Sequence, residues 1–475
     1  MSARPAVRAG TLSRSLVVWG VLAVTAAVVI GAVAAFDPQM ALMLLIMAGL
    51  GLAVVIHPPS LLLILILAVL IEAIDVGGIT VSRLLAPLAL IVIIATVLRG
   101  THRMVLAPPF WWAVAYGIWA LASALWTVDF DATVHGLGSL AIAFTFMAAF
   151  ATLLQSERDL RRVLVALAIG GLVFGAYEMY SFIVGGVYHS DPATGDANFF
   201  AQYQLVAIPL LIAFSSVVRT REARIALYVV IAVLVGSVMT SLSRGGTVAL
   251  IFVALLLLLL PAKTVFRSRR QKVVAFAALV AAAVLVFNVT SASFLPRIET
   301  IFAPGQTGAG RTNIWRGAVT SIGERPLLGV GFYGFKTVSN ELMLRTPGVD
   351  LQTYDLRPDG IEVHNAFLGS LAELGMAGVV LFTGLLISTG RQLRRMSVRA
   401  RRQGAVFLAR VSNALLLGLL GWSAAAMFLS AETSRTIWIL IGVSLALPKL
   451  LEAHDTVSEQ DAASVGVLRS QQATG

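Results

Sequence analysis

The chain has 475 residues, of which 58% are hydrophobic and only 12% are charged, and its mean hydropathy is +0.89. Soluble domains do not have this composition, so the sequence predicts an all-α, polytopic integral membrane protein. The formal net charge is +11, and the absence of cysteine excludes disulfides and thiolate metal sites.

Apolar runs of membrane-spanning length recur along the chain and predict about 12 to 14 transmembrane helices. The first run begins at Ser15 and is long enough to be a retained helix rather than a cleaved signal peptide. We expect one transmembrane domain over residues 1–451 and a disordered, cytoplasmic polar tail over residues 452–475. The predicted spans are 15–36, 40–56, 60–74, 82–98, 109–126, 133–154, 161–184, 198–217, 225–242, 245–261, 272–290, 365–389, 406–430 and 435–451.

The basic residues are distributed unevenly between the loops. If the N-terminus is cytoplasmic and the spans alternate, only ten of the 35 lysines and arginines fall on the opposite face. This asymmetry predicts a multi-pass protein of the cytoplasmic (inner) membrane with both termini in the cytoplasm. The basic loops lack interleaved aromatic residues, which argues against nucleic-acid binding and fits topology and contact with membrane lipids.

The segment "HSDPATGDANFFAQYQ" leads from an outer loop into the run that begins near residue 198. Asp196 is a candidate helix cap, because its carboxylate can accept bonds from the first free N–H groups of a helix. Tyr203 or Gln202 could then line a cavity, although a turn followed by a cap is the simpler interpretation.

The segment "SLSRGG", residues 241–246, lies at a predicted tight turn on the outer face, where its glycines would let the backbone turn. Arg244 could be a snorkelling arginine beside a hairpin, or it could grip an anion with its planar guanidinium. The neighbouring hydroxyls favour the anion clamp, and Ser243 is a candidate substrate-binding residue with Arg244.

A long extracytoplasmic loop, residues 291–364, carries most of the outer arginines. Within it, "TNIWRGAVTSI" has apolar residues at helical spacing, so we expect one or two short helices along the membrane surface, and "PLLGVGFYGF" is predicted to be a turn. Arg311, Arg316 and Arg325 are candidate partners of a second anion, or they pair with the loop's carboxylates or with lipid headgroups. Arg311 and Arg316 are five residues apart and therefore splayed on a helix.

The segment "HNAFLGSLAELGMAG" opens the next run at His364. Asn365 can cap the helix, and His364 is either an interfacial residue or a general base that holds an acceptor hydroxyl, because histidine titrates near neutral pH. Glu373 is about half a turn out of phase with His364, so we expect it to tie this helix to a neighbour rather than to contact the histidine.

Several chemistries have no motif in the sequence. There is no G-x-x-x-x-G-K-[ST] loop for a nucleotide, no H-E-x-x-H spacing for a metal and no G-x-S-x-G elbow for a hydrolase. The sequence therefore predicts no cofactor and no metal.

Three segments in this order resemble the O-antigen ligase and polymerase family of polytopic membrane glycosyltransferases. They are "SLSRGG", "GRTNIW…PLLGVGFYGF" and "HNAFLGSLAELGMAG", and the resemblance covers about residues 198–382. It implies a metal-independent transfer of a glycan from a polyprenyl (undecaprenyl) diphosphate donor to a lipid, glycan or protein acceptor on the outer face. The family's histidine falls on His364, and its arginines fall on Arg244 and Arg311, with Arg316 and Asn365 as further substrate-binding candidates.

One departure concerns an arginine that many relatives carry before the "NFFAQ" run and that this chain lacks. His189 or Arg297 could take its place.

The main alternative function is a polysaccharide or lipid-linked oligosaccharide transporter or flippase, in which charges lie at mid-membrane depth on broken helices. Here most charges lie at the ends of the runs, which favours an enzyme. A scaffold role is a third possibility, and it predicts that His364 and Arg244 can be changed freely.

Overall fold

The structure is a computed structural model that describes residues 57–72, 75–76, 79–184, 196–302, 311–350 and 357–473. The chain divides into two compact units, Met1–Leu61 and Leu62–Gly475. The second unit contains every site residue discussed below. The first two predicted spans, including the helix expected from Ser15, lie outside the described residues.

The described part of the chain is helical apart from one short antiparallel pair of strands, which confirms the predicted all-α class. The strands β1 (Asp75–Val76) and β2 (Ile79–Thr80) each contain two residues. The helices are α1 (Ser60–Leu70), α2 (Val81–Leu98), α3 (Pro108–Ala122), α4 (Phe130–Leu153), α5 (Glu157–Ile183), α6 (Ala197–Ser215), α7 (Arg221–Thr240), α8 (Arg244–Leu259), α9 (Arg269–Phe302), α10 (Arg311–Glu324), α11 (Phe335–Arg345), α12 (Ala366–Arg402), α13 (Val406–Ala426) and α14 (Arg435–Ala473).

Nine helices within the described ranges are long and apolar enough to cross a membrane. They are α2, α4, α5, α6, α7, α9, α12, α13 and α14, while α1 and α8 are shorter apolar helices. The protein is therefore a multi-pass membrane protein, as predicted. The segment between α9 and α12 is the predicted extracytoplasmic loop, called the outer loop below. It contains α10 and α11, where one or two short helices were expected.

Polar residues at the heads of the apolar runs explain where several helices begin. Asp196 accepts hydrogen bonds from the N–H groups of Asn198 (2.6 Å) and Phe199 (3.3 Å), which confirms the predicted cap of α6. Asp129 and Ser156 cap α4 and α5 in the same way. Each cap satisfies N–H groups that have no partner within the helix.

Small residues let the central helices approach closely. A Cβ on Gly421 of α13 would lie 2.5 Å from Val253 of α8, and one on Gly442 of α14 would lie 2.4 Å from the carbonyl oxygen of Met147 in α4. Helices in a membrane gain little from hydrophobic burial against each other, so close van der Waals packing at small residues holds them together.

Lys449 joins α14 to the end of α4. Its ammonium group is buried and donates to the carbonyl oxygens of Ala151 and Thr152, both at 2.7 Å. These carbonyls belong to the last turn of α4, where a cation complements the helix dipole.

Two boundaries differ from those predicted. Helix α9 continues to Phe302, so the outer loop starts later than residue 291. Helix α14 continues to Ala473, so residues 452–473 are helical where the polar composition had suggested a disordered tail. In both places the helix passes the end of the apolar run, which was the feature used to predict its end.

Helix α12 is interrupted near its beginning. Gly375 has φ 66° and ψ −166°, a conformation outside the helical region, and the helix resumes after it. The apolar run from 365 to 389 contained no sign of this break apart from the glycine itself, which helices often tolerate.

Candidate functional site

Arg244 is held by the turn between α7 and α8. Ser243 caps α8 by accepting the N–H of Gly246 (3.0 Å), and its hydroxyl donates to Oδ1 of Asn198 (2.7 Å). Leu242, one residue earlier, has φ 53°. The Ser243 side chain is fully buried and committed to these two bonds, so it positions Arg244 rather than facing a substrate.

The glycines of "SLSRGG" have a different role from the one predicted. The expectation that they form the turn is wrong, because both lie in the first turn of α8 and the positive φ belongs to Leu242. A Cβ on Gly245 would lie 2.8 Å from Cβ of Phe428, and one on Gly246 would lie 2.5 Å from Cβ of Ala201. The glycines therefore allow close packing of α8 against its neighbours.

Arg311 begins α10 and lies beside Arg244. Its guanidinium carbon is 5.9 Å from the centre of the Phe428 ring, the same side chain that packs against Gly245. Burial, followed by the positive charge of Arg244, lowers the pKa of Arg311, while Asp196 acts in the opposite direction. Two cations from different segments are thus held near one another in a partly dry place.

His364 occupies a strained position just before α12. Its φ is 53°, and its N–H donates to the hydroxyl of Ser430 (3.0 Å). Asn365 caps α12, as predicted, by accepting the N–H groups of Phe367 and Leu368, both at 3.0 Å. Asn365 is thereby used in fixing the backbone that presents His364.

The imidazole of His364 is neutral over the ordinary pH range. Burial, and next the positive charge of Arg311, lowers its pKa to about 4. Its Nδ1 has no hydrogen-bond partner among the described residues. A neutral imidazole is the form that can take a proton from a hydroxyl group.

The structure thus brings together three of the predicted residues, which come from three segments of the chain. Arg311 is the link, because its charge acts on His364 and it is itself affected by the charge of Arg244. The indole of Trp315, one turn along α10, donates to the carbonyl oxygen of Val363 (3.1 Å) and fixes α10 against the His364 segment. The arrangement offers two guanidinium groups for an oxyanion and one proton acceptor beside them.

Arg316 is not part of this arrangement. It is exposed, and its guanidinium donates to the carbonyl oxygen of Gly348 within the outer loop. Its partner is a backbone carbonyl of the loop, whereas the alternative to anion binding had named the loop's carboxylates or lipid headgroups. Of the two suggested replacements for the missing family arginine, His189 lies outside the described residues and the structure describes no side chain for Arg297.

Glu373 ties its helix to the "PLLGVGFYGF" turn, as expected. Its carboxylate accepts the N–H of Tyr333 (2.8 Å), and its carbonyl oxygen accepts the N–H of Gly331 (2.8 Å). Near the break in α12, the N–H of Val330 donates to the carbonyl oxygen of Ala372 (3.0 Å). The turn therefore supplies partners for backbone groups that an unbroken helix would have satisfied.

A cavity of about 330 Å³ adjoins the His364 segment. Neither Arg244 nor His364 is among the described residues that line it. Ser430, which binds the His364 N–H, and Glu362 are on its wall. The full lining is Val69, Glu72, His135, Phe199, Tyr203, Tyr333, Lys336, Glu362, Gly369, Glu373, Ser430, Glu432, Thr433, Ser434, Arg435 and Thr436.

The cavity partly matches the sequence analysis and partly extends it. Tyr203 lines it, as suggested, whereas the Gln202 side chain accepts a hydrogen bond from Ser434 (3.0 Å). The sequence analysis missed Glu432 and the segment around it. The available signal was "AETSR", a cluster of polar residues between the last two apolar runs.

Comparison with known proteins relates the chain to one family. Residues 227–383 match the family model described as O-antigen ligase. Two provisionally named polysaccharide ligases, from Rickettsia typhi and Rickettsia felis, are each 27% identical to the chain, over 163 and 177 residues respectively.

These alignments are partial. They include 34% and 36% of this chain, and they span 36% of the Rickettsia typhi protein and 40% of the Rickettsia felis protein. The match to the family model contains Arg244, Arg311 and His364 together, so the shared region is the one that holds the candidate site.

Proposed function

We propose that this chain, whose residues 227–383 match the O-antigen ligase family model, is a membrane glycosyltransferase of surface polysaccharide synthesis. In this proposal it transfers a glycan from a polyprenyl diphosphate to a hydroxyl group of a lipid, glycan or protein acceptor. The reaction takes place at the extracytoplasmic face of the cytoplasmic membrane, with no metal or cofactor.

One observation carries the proposal: the segments of Arg244, Arg311 and His364 are in contact. Arg311 and Gly245 both lie against Phe428, and Trp315 of α10 binds the carbonyl oxygen of Val363. A lipid diphosphate is a good leaving group, and its negative charge increases as the glycosidic bond breaks. Preorganised guanidinium groups in a partly dry site stabilise that charge more in the transition state than in the ground state.

The proposed transfer exchanges one bond at the anomeric carbon for another. The acceptor hydroxyl oxygen bonds to the anomeric carbon, the bond from that carbon to the diphosphate oxygen breaks, and the hydroxyl proton passes to the imidazole of His364. The polyprenyl diphosphate leaves with the electron pair, held by Arg244 and Arg311. Attack from the face opposite the diphosphate would invert the anomeric centre.

The first test is His364→Ala, expressed at the wild-type level in a strain that lacks the gene. We expect finished glycans to disappear on a gel, because the acceptor hydroxyl loses its proton acceptor. Accumulation of long lipid-linked chains without attachment would indicate a ligase, and single repeats in place of long chains would indicate a polymerase. Arg244→Ala and Arg311→Ala should each reduce the rate by about 10²–10³-fold, as the loss of one charge-stabilising donor does elsewhere.

Arg345→Ala is the matched control, because Arg345 is an outer-loop arginine that pairs with Glu324 at an exposed position (2.8 Å). Exposed pairs of this kind contribute little to stability, so this variant should behave as wild type. Unchanged glycans in the His364→Ala strain would remove His364 from the mechanism and contradict the proposed transfer.

The break in α12 is a specific observation in favour of the transporter alternative. Transporters often bind their substrates at interrupted helices. Here the break at Gly375 lies close to the outer end of a helix that extends to Arg402, and a segment of the protein itself fills it. If the protein is a transporter, cells that carry His364→Ala should still make finished glycans. The same experiment therefore separates the two functions.

A further inference from the structure

The cavity beside His364 has an unusual wall, and we call it the carboxyl cavity. Four carboxyl side chains line it: Glu72, Glu362, Glu373 and Glu432. Three of them have structural partners, and Glu362 is hydrogen-bonded to the hydroxyl of Ser430. Glu72 pairs with Arg435 (3.0 Å), and Glu373 accepts the Tyr333 N–H (2.8 Å).

Glu432 is the fourth of these carboxyl groups. It lies between α13 and α14, is only 7% exposed, and its carboxyl group accepts a hydrogen bond from its own backbone N–H. Its Oε1 lies 2.6 Å from the place where a Cβ on Gly369 would be, so the first turn of α12 leaves space for this carboxyl group. A carboxyl group can make more hydrogen bonds than this one, so a ligand in the cavity can supply further partners.

The protonation state of Glu432 fits an uncharged ligand. Burial and the nearby charge of Glu373 raise its pKa well above the usual range for a carboxyl group. This environment favours the carboxylic acid form, which can both donate and accept a hydrogen bond. Sugar hydroxyls have the same double capacity.

An unpartnered hydroxyl group lies on the same wall. Tyr203 is 4% exposed, and its hydroxyl has no partner among the described residues. Tyr333 and Thr433 add a pair of hydroxyls 2.8 Å apart, and Phe199 adds a ring. Aromatic surface together with a few polar groups is typical of a small-ligand pocket, and about 330 Å³ is near the lower limit of the usual 300–1,000 Å³.

The charges separate this cavity from the arginine site. Arg244 and Arg311 attract a diphosphate. The cations on the cavity wall instead face carboxyl groups, since Arg435 pairs with Glu72 (3.0 Å) and the charge of Lys336 acts on Glu362. His364 lies between the two places, since Arg311 acts on its imidazole and its N–H binds Ser430 on the cavity wall. A diphosphate on one side and a neutral, hydroxyl-rich group on the other is the arrangement that a glycan transfer needs.

We propose that the carboxyl cavity is a saccharide subsite, in which Glu432 and Tyr203 hydrogen-bond the neutral sugar of the acceptor and hold its hydroxyl near His364. This inference rests on the proposed function. It adds the chemical class of the acceptor group and the residues that bind it.

The test uses the purified full-length protein and a hydrophobic carbodiimide, which reacts with protonated carboxyl groups in apolar surroundings. Labelling of Glu432 is measured by peptide mass spectrometry in the presence of neutral methyl glycosides of glucose, galactose, mannose and N-acetylglucosamine. We expect at least one glycoside to slow the labelling severalfold with a saturable dose dependence. Inorganic pyrophosphate, which should bind at the arginines, should not slow it.

A pair of variants gives an independent measurement in cells. Glu432→Leu removes the hydrogen-bonding group at similar volume and should reduce attachment of the glycan at least tenfold, while Glu432→Gln, which keeps a donor and an acceptor, should retain a large part of it. Glu341→Leu, at an exposed glutamate of α11, is the matched control and should behave as wild type.

The outcomes are separable from those for the proposed function. If His364→Ala blocks attachment but no glycoside protects Glu432, or Glu432 does not react, or Glu432→Leu attaches glycan normally, the saccharide subsite is wrong and the transferase stands. If glycosides protect Glu432 but His364→Ala has no effect, the cavity binds sugar without an acceptor reaction, which overturns the acceptor assignment together with the proposed function.

Discussion

At the scale of single residues, backbone strain is concentrated around the candidate site. Three non-glycine residues in the described ranges have positive φ values: Leu242, Tyr333 and His364. Leu242 precedes the Ser243–Arg244 cap, Tyr333 lines the carboxyl cavity, and His364 is the proposed proton acceptor. Each such residue costs about 1–3 kcal/mol and persists only where its surroundings hold it.

His364 should remain reactive in acid. Because its pKa is lowered to about 4, the imidazole stays neutral as the pH falls from neutral to about 4. An ordinary histidine, with a pKa of about 6.5, is already protonated over most of this range. Diethyl pyrocarbonate modifies only the neutral form. The rate of modification of His364, followed by peptide mass spectrometry, should therefore fall with a midpoint well below pH 6.

The Arg311 charge accounts for part of that shift, after burial, so Arg311→Met should raise the His364 midpoint. Arg316→Met is the matched control, since Arg316 binds Gly348 and should leave the midpoint unchanged. An unperturbed midpoint near 6.5 in the wild type would show that His364 is solvated and that the dry site beside Arg311 does not exist.

At the scale of the elements, the break in α12 is the feature that organises the site. The "PLLGVGFYGF" turn docks into it, with the N–H of Met376 donating to the carbonyl oxygen of Pro326 (2.9 Å). The indole of Trp119 on α3 donates to the carbonyl oxygen of Leu374 (2.9 Å). Neighbouring segments thus satisfy the backbone around the break, and they connect the first turns of α12 to the outer loop.

Gly375→Ala should strongly destabilise the protein. Its φ of 66° with ψ −166° is a region that is essentially restricted to glycine, and a Cβ would lie 2.1 Å from the Leu327 carbonyl oxygen. We expect a loss of about 3 kcal/mol or more, since the conformational strain alone is about 1–3 kcal/mol and the clash is with backbone. Thermal unfolding in detergent measures it.

Gly390→Ala is the control on the same helix. The nearest atoms to a Cβ there are at 3.6 Å, an ordinary contact, and alanine is the better helix former by about 0.5–1 kcal/mol. Gly390→Ala should therefore be neutral or slightly stabilising. Equal effects of the two substitutions would show that α12 is continuous through Gly375.

At the scale of the whole molecule, the uneven distribution of basic residues predicts the orientation of the protein. The chain has no cysteine, so single cysteines can be introduced without removing any native ones. Two exposed positions are suitable: Glu341 on α11 in the outer loop and Arg402 at the end of α12. They lie on opposite faces if the proposed orientation is right.

In cells with an intact cytoplasmic membrane, a membrane-impermeant maleimide should label Glu341→Cys and should label Arg402→Cys only after permeabilisation. The reason is the excess of arginine and lysine that retains loops in the cytoplasm. Labelling in the reverse order would place the arginine site and the carboxyl cavity in the cytoplasm, and would exclude a transfer on the outer face.

Local chemistry in the sequence was sufficient to determine the all-α membrane class, most helix positions and the caps at Asp196 and Asn365. The length of an apolar run and the presence of a capping side chain are local properties, so a single segment of sequence is enough to recognise them. The resemblance to a family identified His364, Arg244 and Arg311, which the structure places together.

Only the tertiary structure showed which contacts the other candidate residues make. It placed the Ser243 hydroxyl against Asn198 and the Arg316 guanidinium against the Gly348 carbonyl, and it showed the break at Gly375 and the carboxyl cavity. Each of these depends on contacts between segments far apart in the chain. A side chain's burial and its partner are properties of the packed helices, and no run of neighbouring residues contains them.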